Sequence, residues 1–189
     1  MSVAFDLNSL RLRLTPHLSP SNASDAAVAI IINTSQAASV LLIKRVEREG
    51  DPWSGQIAFP GGHKSQTDLT LLETAIRETK EEVGIELEPR HLVGLLPSLP
   101  ARTRRVEVTP FVFHLTCEPR LNANFEVAET FWVSLADLMQ LDPRNSEVKM
   151  NGRQLAVESY LYHGQVIWGL TFRVLNLLLN KGQNLTSDR

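Results

Sequence analysis

The chain has 189 residues, a formal net charge of −2 and 43% hydrophobic residues. That suffices for one ordinary domain with a real core, and it excludes both a disordered chain and a broadly basic nucleic-acid-binding surface. No apolar run approaches the roughly 20 residues of a membrane helix, and no leader with a small-residue cleavage site opens the chain. We expect residues 1–189 to form one domain, its core about 25–180, with no linker, repeat or low-complexity segment. The single cysteine, Cys117, cannot form an internal disulfide, which fits a reducing, cytoplasmic setting. It follows an apolar run and reads as a packed thiol rather than a nucleophile.

In chain order, residues 6–14, with Leu7, Leu10, Leu12 and Leu14, read as a short amphipathic helix. Pro16 and Pro20 mark a loop. Ala26–Ile32 and Ser39–Ile43 are apolar runs of strand length. Asp51-Pro52 breaks the chain, and Gln56–Phe59 is a short strand that delivers Gly61 and Gly62. A helix spans about Leu69–Val83, with Gly84 as its stop. Leu92–Leu96 and Glu107–Leu115 are strands, separated by a loop with Pro97, Pro100, Arg102, Arg104 and Arg105. Glu129–Val133 is a strand, and Ser134 can cap a helix to about Gln140. Gln154–Tyr162 and Gln165–Trp168 form a hairpin turning at His163-Gly164. Leu170–Asn180 reads as a buried final helix ending at Gly182. This mixture predicts an α/β fold with helices against a mixed sheet.

The segment Arg77-Glu78-Thr79-Lys80-Glu81-Glu82-Val83-Gly84-Ile85 carries the most chemistry. In a helix, spacings of three and four put Glu78, Glu81 and Glu82 on one face. Such carboxylates repel one another unless a cation neutralises them. Hard cations such as Mg²⁺ or Mn²⁺ take all-oxygen ligand sets and bridge to substrate phosphates. Leu72, Ala75, Ile76, Thr79 and Val83 fall on the opposite, core-facing side. Arg77 lies four residues before Glu81 and four after Glu73, within salt-bridge reach of both. The candidate metal ligands are therefore Glu78, Glu81 and Glu82, with the Gly61 carbonyl as a further candidate where Gly-Gly exposes backbone.

From Arg77 to Ile85, with Phe59-Pro60-Gly61-Gly62 upstream, the chain resembles the Nudix hydrolases. Their signature is Gly, five residues, Glu, seven residues, then Arg-Glu-apolar-any-Glu-Glu-any-Gly-apolar. Thr79 stands at the usual apolar position. In strict register His63 occupies the Gly position and Leu69 the Glu position. Gly62 fits with one extra loop residue, and Asp68 or Glu73 would then replace the Glu. The resemblance implies the Nudix fold, a mixed β-sheet sandwiched between helices, and metal-dependent hydrolysis of a diphosphate linkage. It also implies that Arg77 orients the glutamates. A general base would come from a later loop or from the helix itself. Glu126 comes first and Glu129 second, beside Glu81 and Glu82.

Arg45, Arg102, Arg104 and Arg105 are candidates for phosphate, which arginine grips with two-pronged geometry. Gly62 and His63 are candidates for substrate contact. Trp53 can stack on a base or pack beneath its loop. His91, His114 and His163 read as structural or exposed, and no zinc spacing is present. The pieces Leu41–Arg45, Gly55–Gly62, Val108–Val112 and Ile167–Thr171 are similar to the branch containing coenzyme A diphosphatases. Residues 46–54 depart from that branch's signature. Coenzyme A or a derivative is the first substrate candidate; nucleoside diphosphate sugars or ADP-ribose are the alternative. A non-catalytic nucleotide-binding Nudix domain is the alternative of another class. Nudix enzymes are often dimers, so a homodimer is a further expectation. Neither a nucleic-acid nor a membrane partner is expected.

Overall fold

The computed structural model describes residues 5–15, 24–50, 53–101, 106–150 and 152–181. A short helix α1 (Leu7–Arg11), capped by the Asp6 carboxylate, precedes strands β1 (Ser24–Asn33), β2 (Ser39–Arg45), β3 (Ile57–Ala58) and β4 (Gly61–His63). Helix α2 (Leu71–Val83) follows. Next come β5 (Leu92–Leu95), β6 (Leu99–Ala101), β7 (Val106–Leu115), β8 (Val127–Ser134) and α3 (Leu135–Gln140). A three-stranded antiparallel sheet of β9 (Arg144–Met150), β10 (Arg153–Tyr162) and β11 (Gln165–Trp168) leads into α4 (Gly169–Leu179).

The larger sheet has eight strands, with the path β3-β2-β1-β7-β5 and β4, β6 and β8 attached to β1, β7 and β2. It is mixed: β1 and β7 run parallel, and the remaining pairs are antiparallel. Successive residues of β1 point to opposite faces and so divide the core. Ala27, Ala29 and Ile31 meet Leu71, Ala75 and Val83 of α2 on one side. Ile30 and Ile32 meet Leu10 of α1, Leu138 of α3 and Leu175 of α4 on the other. Burial of each large aliphatic side chain stabilises by about 1.5–3 kcal/mol. The sheet is thus held between helices, as expected for this fold.

One detail of the topology creates the site. β1 pairs with β2 only through Ile32↔Val40 and Asn33↔Ser39. Beyond that the strands part. β4 then lies along β1, with Val28↔Gly61 and Ala27↔Gly62, while β3 lies along β2, with Ile43↔Ala58. The splayed end leaves a cleft whose floor is the Gly-Gly turn.

Several boundaries differ from the sequence expectations. α2 begins at Leu71 rather than Leu69, because Thr70 caps it by accepting the Glu73 N–H. Leu72 and Ile76 are only partly buried, while Leu71, Thr74, Ala75, Thr79 and Val83 are buried. Gly84 ends the helix as expected, with φ +74°. β6 and β9 were not anticipated. β6 is a three-residue strand containing Pro100 within an apparent loop, and β9 is a polar strand whose alternation is weak. α4 stops at Asn180, in the left-handed conformation, before Gly182, which lies outside the described residues. Cys117 is exposed rather than packed, because β7 ends at Leu115 and the chain turns outward. Among the described residues no helix is long and apolar enough to cross a membrane.

Candidate active site

Phe59 and Pro60 are buried, and Pro60 O accepts the Ala29 N–H at 2.8 Å, which fixes the turn to β1. Gly61 follows with φ +149°, and a Cβ there would run into the Ala27 carbonyl. A Cβ at Gly62 would lie 2.6 Å from the Glu78 carboxylate. Only glycine lets this strand approach both its sheet partner and the acidic face of α2.

The three glutamates do share a face, but their environments differ. Glu82 is 2% exposed, and its Oε2 accepts the Gly61 N–H at 2.8 Å. Burial pushes its pKa up to about 7, against the pull of that N–H; the neighbouring Glu78 carboxylate pushes in the same direction. Arg45 Nη1 stands 3.8 Å from Glu82 Oε1. Glu78 is half-buried, and burial raises its pKa against the opposing hydrogen bond from Arg77. Glu81 is exposed and lies 3.1 Å from Arg77 Nη1.

Arg77 gathers this face. Its Nη1 donates to Glu78 at 2.9 Å and to Glu81 at 3.1 Å, while Nε and Nη2 donate to the two oxygens of Asp68 at 2.9 and 2.8 Å. Asp68 is buried and also accepts from Ser65 N–H and the Thr74 hydroxyl. The guanidinium holds the Asp68 carboxyl well below the usual carboxylate range. Of the two replacements considered for the signature glutamate, Asp68 therefore occupies the position against Arg77. Glu73 instead accepts the Leu69 N–H at the helix start.

A cavity of about 850 Å³ opens beside this cluster and meets it through Glu82; Glu78, Glu81, Arg77 and Asp68 are not among its lining residues. Glu82, Gly61, Gly62, His63, Arg45 and Trp53 line it. Glu126 lines it as well, whereas Glu129 projects from β8 in the position opposite Lys44, is exposed, and is not part of the wall. The Glu126 loop is tied to the end of α2, where Asn124 N–H donates to Glu82 O at 3.0 Å and Asn122 N–H to Val83 O at 2.8 Å. It is tied from the other side by Arg48, whose guanidinium lies 3.4 Å from Glu126 Oε1, 3.3 Å from Phe125 O and 5.3 Å from the Phe125 ring centroid. Sequence reasoning missed Arg48, which has no motif around it. Arg102, Arg104 and Arg105 lie outside the described residues; their flanks, Ala101 and Val106, both line the cavity.

None of His91, His114 and His163 lines this cavity. His91 Nδ1 accepts the Glu88 N–H, His114 shares a hydrogen bond with Thr34, and His163 sits in the β10–β11 turn.

The donors are carboxylate and backbone oxygens, the set a hard divalent cation prefers. Glu82 in particular is a buried carboxylate whose charged form burial disfavours. Its oxygens and those of Glu78 and Glu81 are engaged by Gly61, Arg45 and Arg77. Among the described residues no three acidic, imidazole or thiol groups already converge as a metal cage. The chemistry of the donors fits such an ion, and their present hydrogen bonds are the contacts it would exchange.

Comparisons with known proteins identify the family. The profile of the NUDIX domain matches residues 23–151. A protein of Pectobacterium atrosepticum named as an uncharacterized Nudix hydrolase, NudL, is 33% identical over 182 residues, covering 93% of this chain and 94% of its own. The NudL of Photorhabdus laumondii is 32% identical over 188 residues, covering 97% and 99%. Among solved structures, a MutT/nudix family protein from Enterococcus faecalis superposes with a TM-score of 0.55 at 19% identity, covering 86% of this chain and 62% of that one. The NUDIX domain of Shewanella oneidensis NrtR, complexed with ADP ribose, gives 0.51 at 18% identity, covering 72% and 88%. The chain therefore belongs to the Nudix hydrolase family.

Proposed function

We propose that this protein hydrolyses a diphosphate linkage in a nucleoside diphosphate derivative, with coenzyme A or one of its derivatives as the first substrate, in the presence of Mg²⁺ or Mn²⁺. The observation that carries the reading is Glu82, buried beside Glu78 against the Gly61-Gly62 backbone, at the floor of a cavity of about 850 Å³. Glu78, Glu81 and Glu82 would hold the metal, with the Gly61 carbonyl as a further donor. A divalent cation there supplies Lewis acidity and lowers the pKa of bound water.

The remaining roles belong to the chain itself. Arg77, anchored by Asp68, orients Glu78 and Glu81. Glu126, at the cavity wall, is favoured over Glu129, Glu81 and Glu82 to take the proton of the attacking water. Arg45, which lines the cavity beside Glu82, would meet a phosphoryl oxygen in this reading, as would Gly62 and His63. Arg102, Arg104 and Arg105 are the further phosphate-binding candidates in this reading, and the residues on either side of them, Ala101 and Val106, border the cavity. Coenzyme A is supported by four stretches of sequence, Leu41–Arg45, Gly55–Gly62, Val108–Val112 and Ile167–Thr171. The lone cysteine supports a cytoplasmic site of action.

A panel of coenzyme A, ADP-ribose, nucleotide sugars, dinucleoside polyphosphates and nucleoside triphosphates, with products identified, tests the reading. We expect metal-dependent cleavage, with coenzyme A preferred. Turnover of ADP-ribose or a nucleotide sugar in its place would change the substrate but not the chemistry. No turnover of any member with either metal would make this a nucleotide-binding domain without catalysis.

A further inference from the structure

We propose that one face of the β9–β10–β11 sheet is a subsite for an uncharged, apolar flank of the substrate, an inference that rests on the hydrolase reading above. The strand register places Met150 opposite Arg153, Val148 opposite Leu155, Ser146 opposite Val157 and Trp168 opposite Ser159. Residues directly opposite in an antiparallel pair share a face. Met150, Leu155, Val157 and Trp168 therefore lie on one side of the ribbon. Tyr160 and Ile167, on the other side, are fully buried in the core.

These four apolar residues line the cavity that Glu82, Gly61 and Gly62 also border. The cavity wall is thus mixed. Arg45, Glu82, Glu126, Glu158 and Arg173 are its charged members, and Met150, Leu155, Val157 and Trp168 supply apolar surface. Leu155 is 36% exposed, among the few large apolar side chains left so open. A ligand pocket of this size is typically apolar with a few convergent polar groups, and the apolar part takes the bulk of the ligand. A sugar seated on Met150, Leu155 and Val157 would bury hydroxyls without partners, which is unfavourable. Glu158, paired with Asn145 on the opposite side of the ribbon from Leu155 and Val157, also borders the cavity, and its negative charge opposes an anionic flank. An alkyl or unsubstituted ring group meets neither objection.

A homologous series isolates this surface: adenosine 5′-diphosphate esterified on its outer phosphate with methyl, butyl, hexyl and octyl groups. Each member keeps the same diphosphate and lengthens only the apolar flank. Binding is followed on the full chain without metal through the fluorescence of Trp53 and Trp168, and kcat/KM is measured with Mg²⁺. We expect Kd to fall by up to about fourfold per buried methylene until the wall is covered, with kcat/KM rising in parallel. Leu155→Ser and Val157→Ser should each flatten the dependence. Leu161→Ser, exposed on the same strand but outside the cavity wall, should leave it intact. Affinity independent of chain length overturns the proposal, even if the methyl ester is turned over. Chain-length-dependent binding without turnover of any ester would uphold this surface, and the hydrolase reading would fall only if the substrate panel above were also left uncleaved.

Discussion

Asp68 and Arg77 form a two-pronged ion pair, with Nε and Nη2 at 2.9 and 2.8 Å from the two carboxylate oxygens. The pair joins the loop after Gly62 to the middle of α2, and the same guanidinium reaches Glu78 and Glu81. The Asp68 side chain is 5% exposed and that of Arg77 is 27% exposed. Removing one partner from such a pair leaves the other uncompensated, at a cost of about 3 kcal/mol. Asp68→Ala should lower thermal stability by that order and reduce kcat/KM about 10–100-fold, through misplaced glutamates. Arg77→Ala should lower kcat/KM similarly while substrate still binds. Wild-type turnover in a folded Asp68→Ala protein would separate this pair from the site.

The same pair sets an acid limit. The Asp68 pKa is depressed in the folded protein from its ordinary value of 3.8. Its stabilisation is therefore fully present well above that value and is lost as pH falls below it. Thermal unfolding between pH 6 and pH 3 should show a steeper loss for the wild type than for Asp68→Ala. Parallel curves would contradict the assignment.

How much of this was legible in the sequence follows from the kind of signal involved. The glutamate helix, its Gly84 stop and the core strands follow from periodicity and local capping, which act over a few residues. The choice between Asp68 and Glu73 could not be made that way. Both lie near Arg77 in sequence, and only the loop path turns Asp68 inward and leaves Glu73 capping Leu69. The difference between buried Glu82 and exposed Glu81, adjacent in sequence, comes from β4 packing on the helix. Likewise β9 has seven mostly polar residues, and its strand conformation comes from pairing with β10. Arg48 meets Glu126 across 78 positions of sequence, a contact no local pattern encodes.

Glu82 should exchange stability for function. Its folded-state pKa is raised from 4.5 to about 7, so its ionisation is penalised in the folded chain. That penalty is absent below the unfolded value of 4.5, grows as pH rises, and is complete above about 7. The displacement corresponds to about 3 kcal/mol. Glu82→Gln should therefore raise the Tm of the metal-free protein at pH 8, with little change near pH 4.5. The same substitution should reduce turnover by orders of magnitude. Near-normal activity of the folded variant would remove Glu82 from the proposed metal site.

Gly61 and Gly62 should respond differently to a single methyl group. At Gly61 the Cβ meets the Ala27 backbone, with φ at +149°, and neither can relax cheaply. Gly61→Ala should lower stability by about 1–3 kcal/mol. At Gly62 the nearest atoms the methyl meets are the end of the Glu78 side chain. That end can swing away, so Gly62→Ala should fold with nearly the wild-type Tm yet lose much of its activity. Equal losses of Tm in the two variants would contradict this contrast.

Arg48 should act through Glu126 rather than on substrate. Its guanidinium bridges Glu126, Phe125 O and the Phe125 ring, and its own N–H is held by Ser54 Oγ at 2.8 Å. The pair is largely exposed, with side chains 43% and 36% accessible, so its contribution to global stability is small. Its effect is to fix where the Glu126 carboxylate points into the cavity. Arg48→Ala should leave Tm and KM near wild type and lower kcat several-fold. Arg48→Lys keeps the charge but not the two-pronged geometry, and should restore part of that loss. A rise in KM with unchanged kcat would instead make Arg48 a substrate-binding residue, and the loop carrying Glu126 would need no latch.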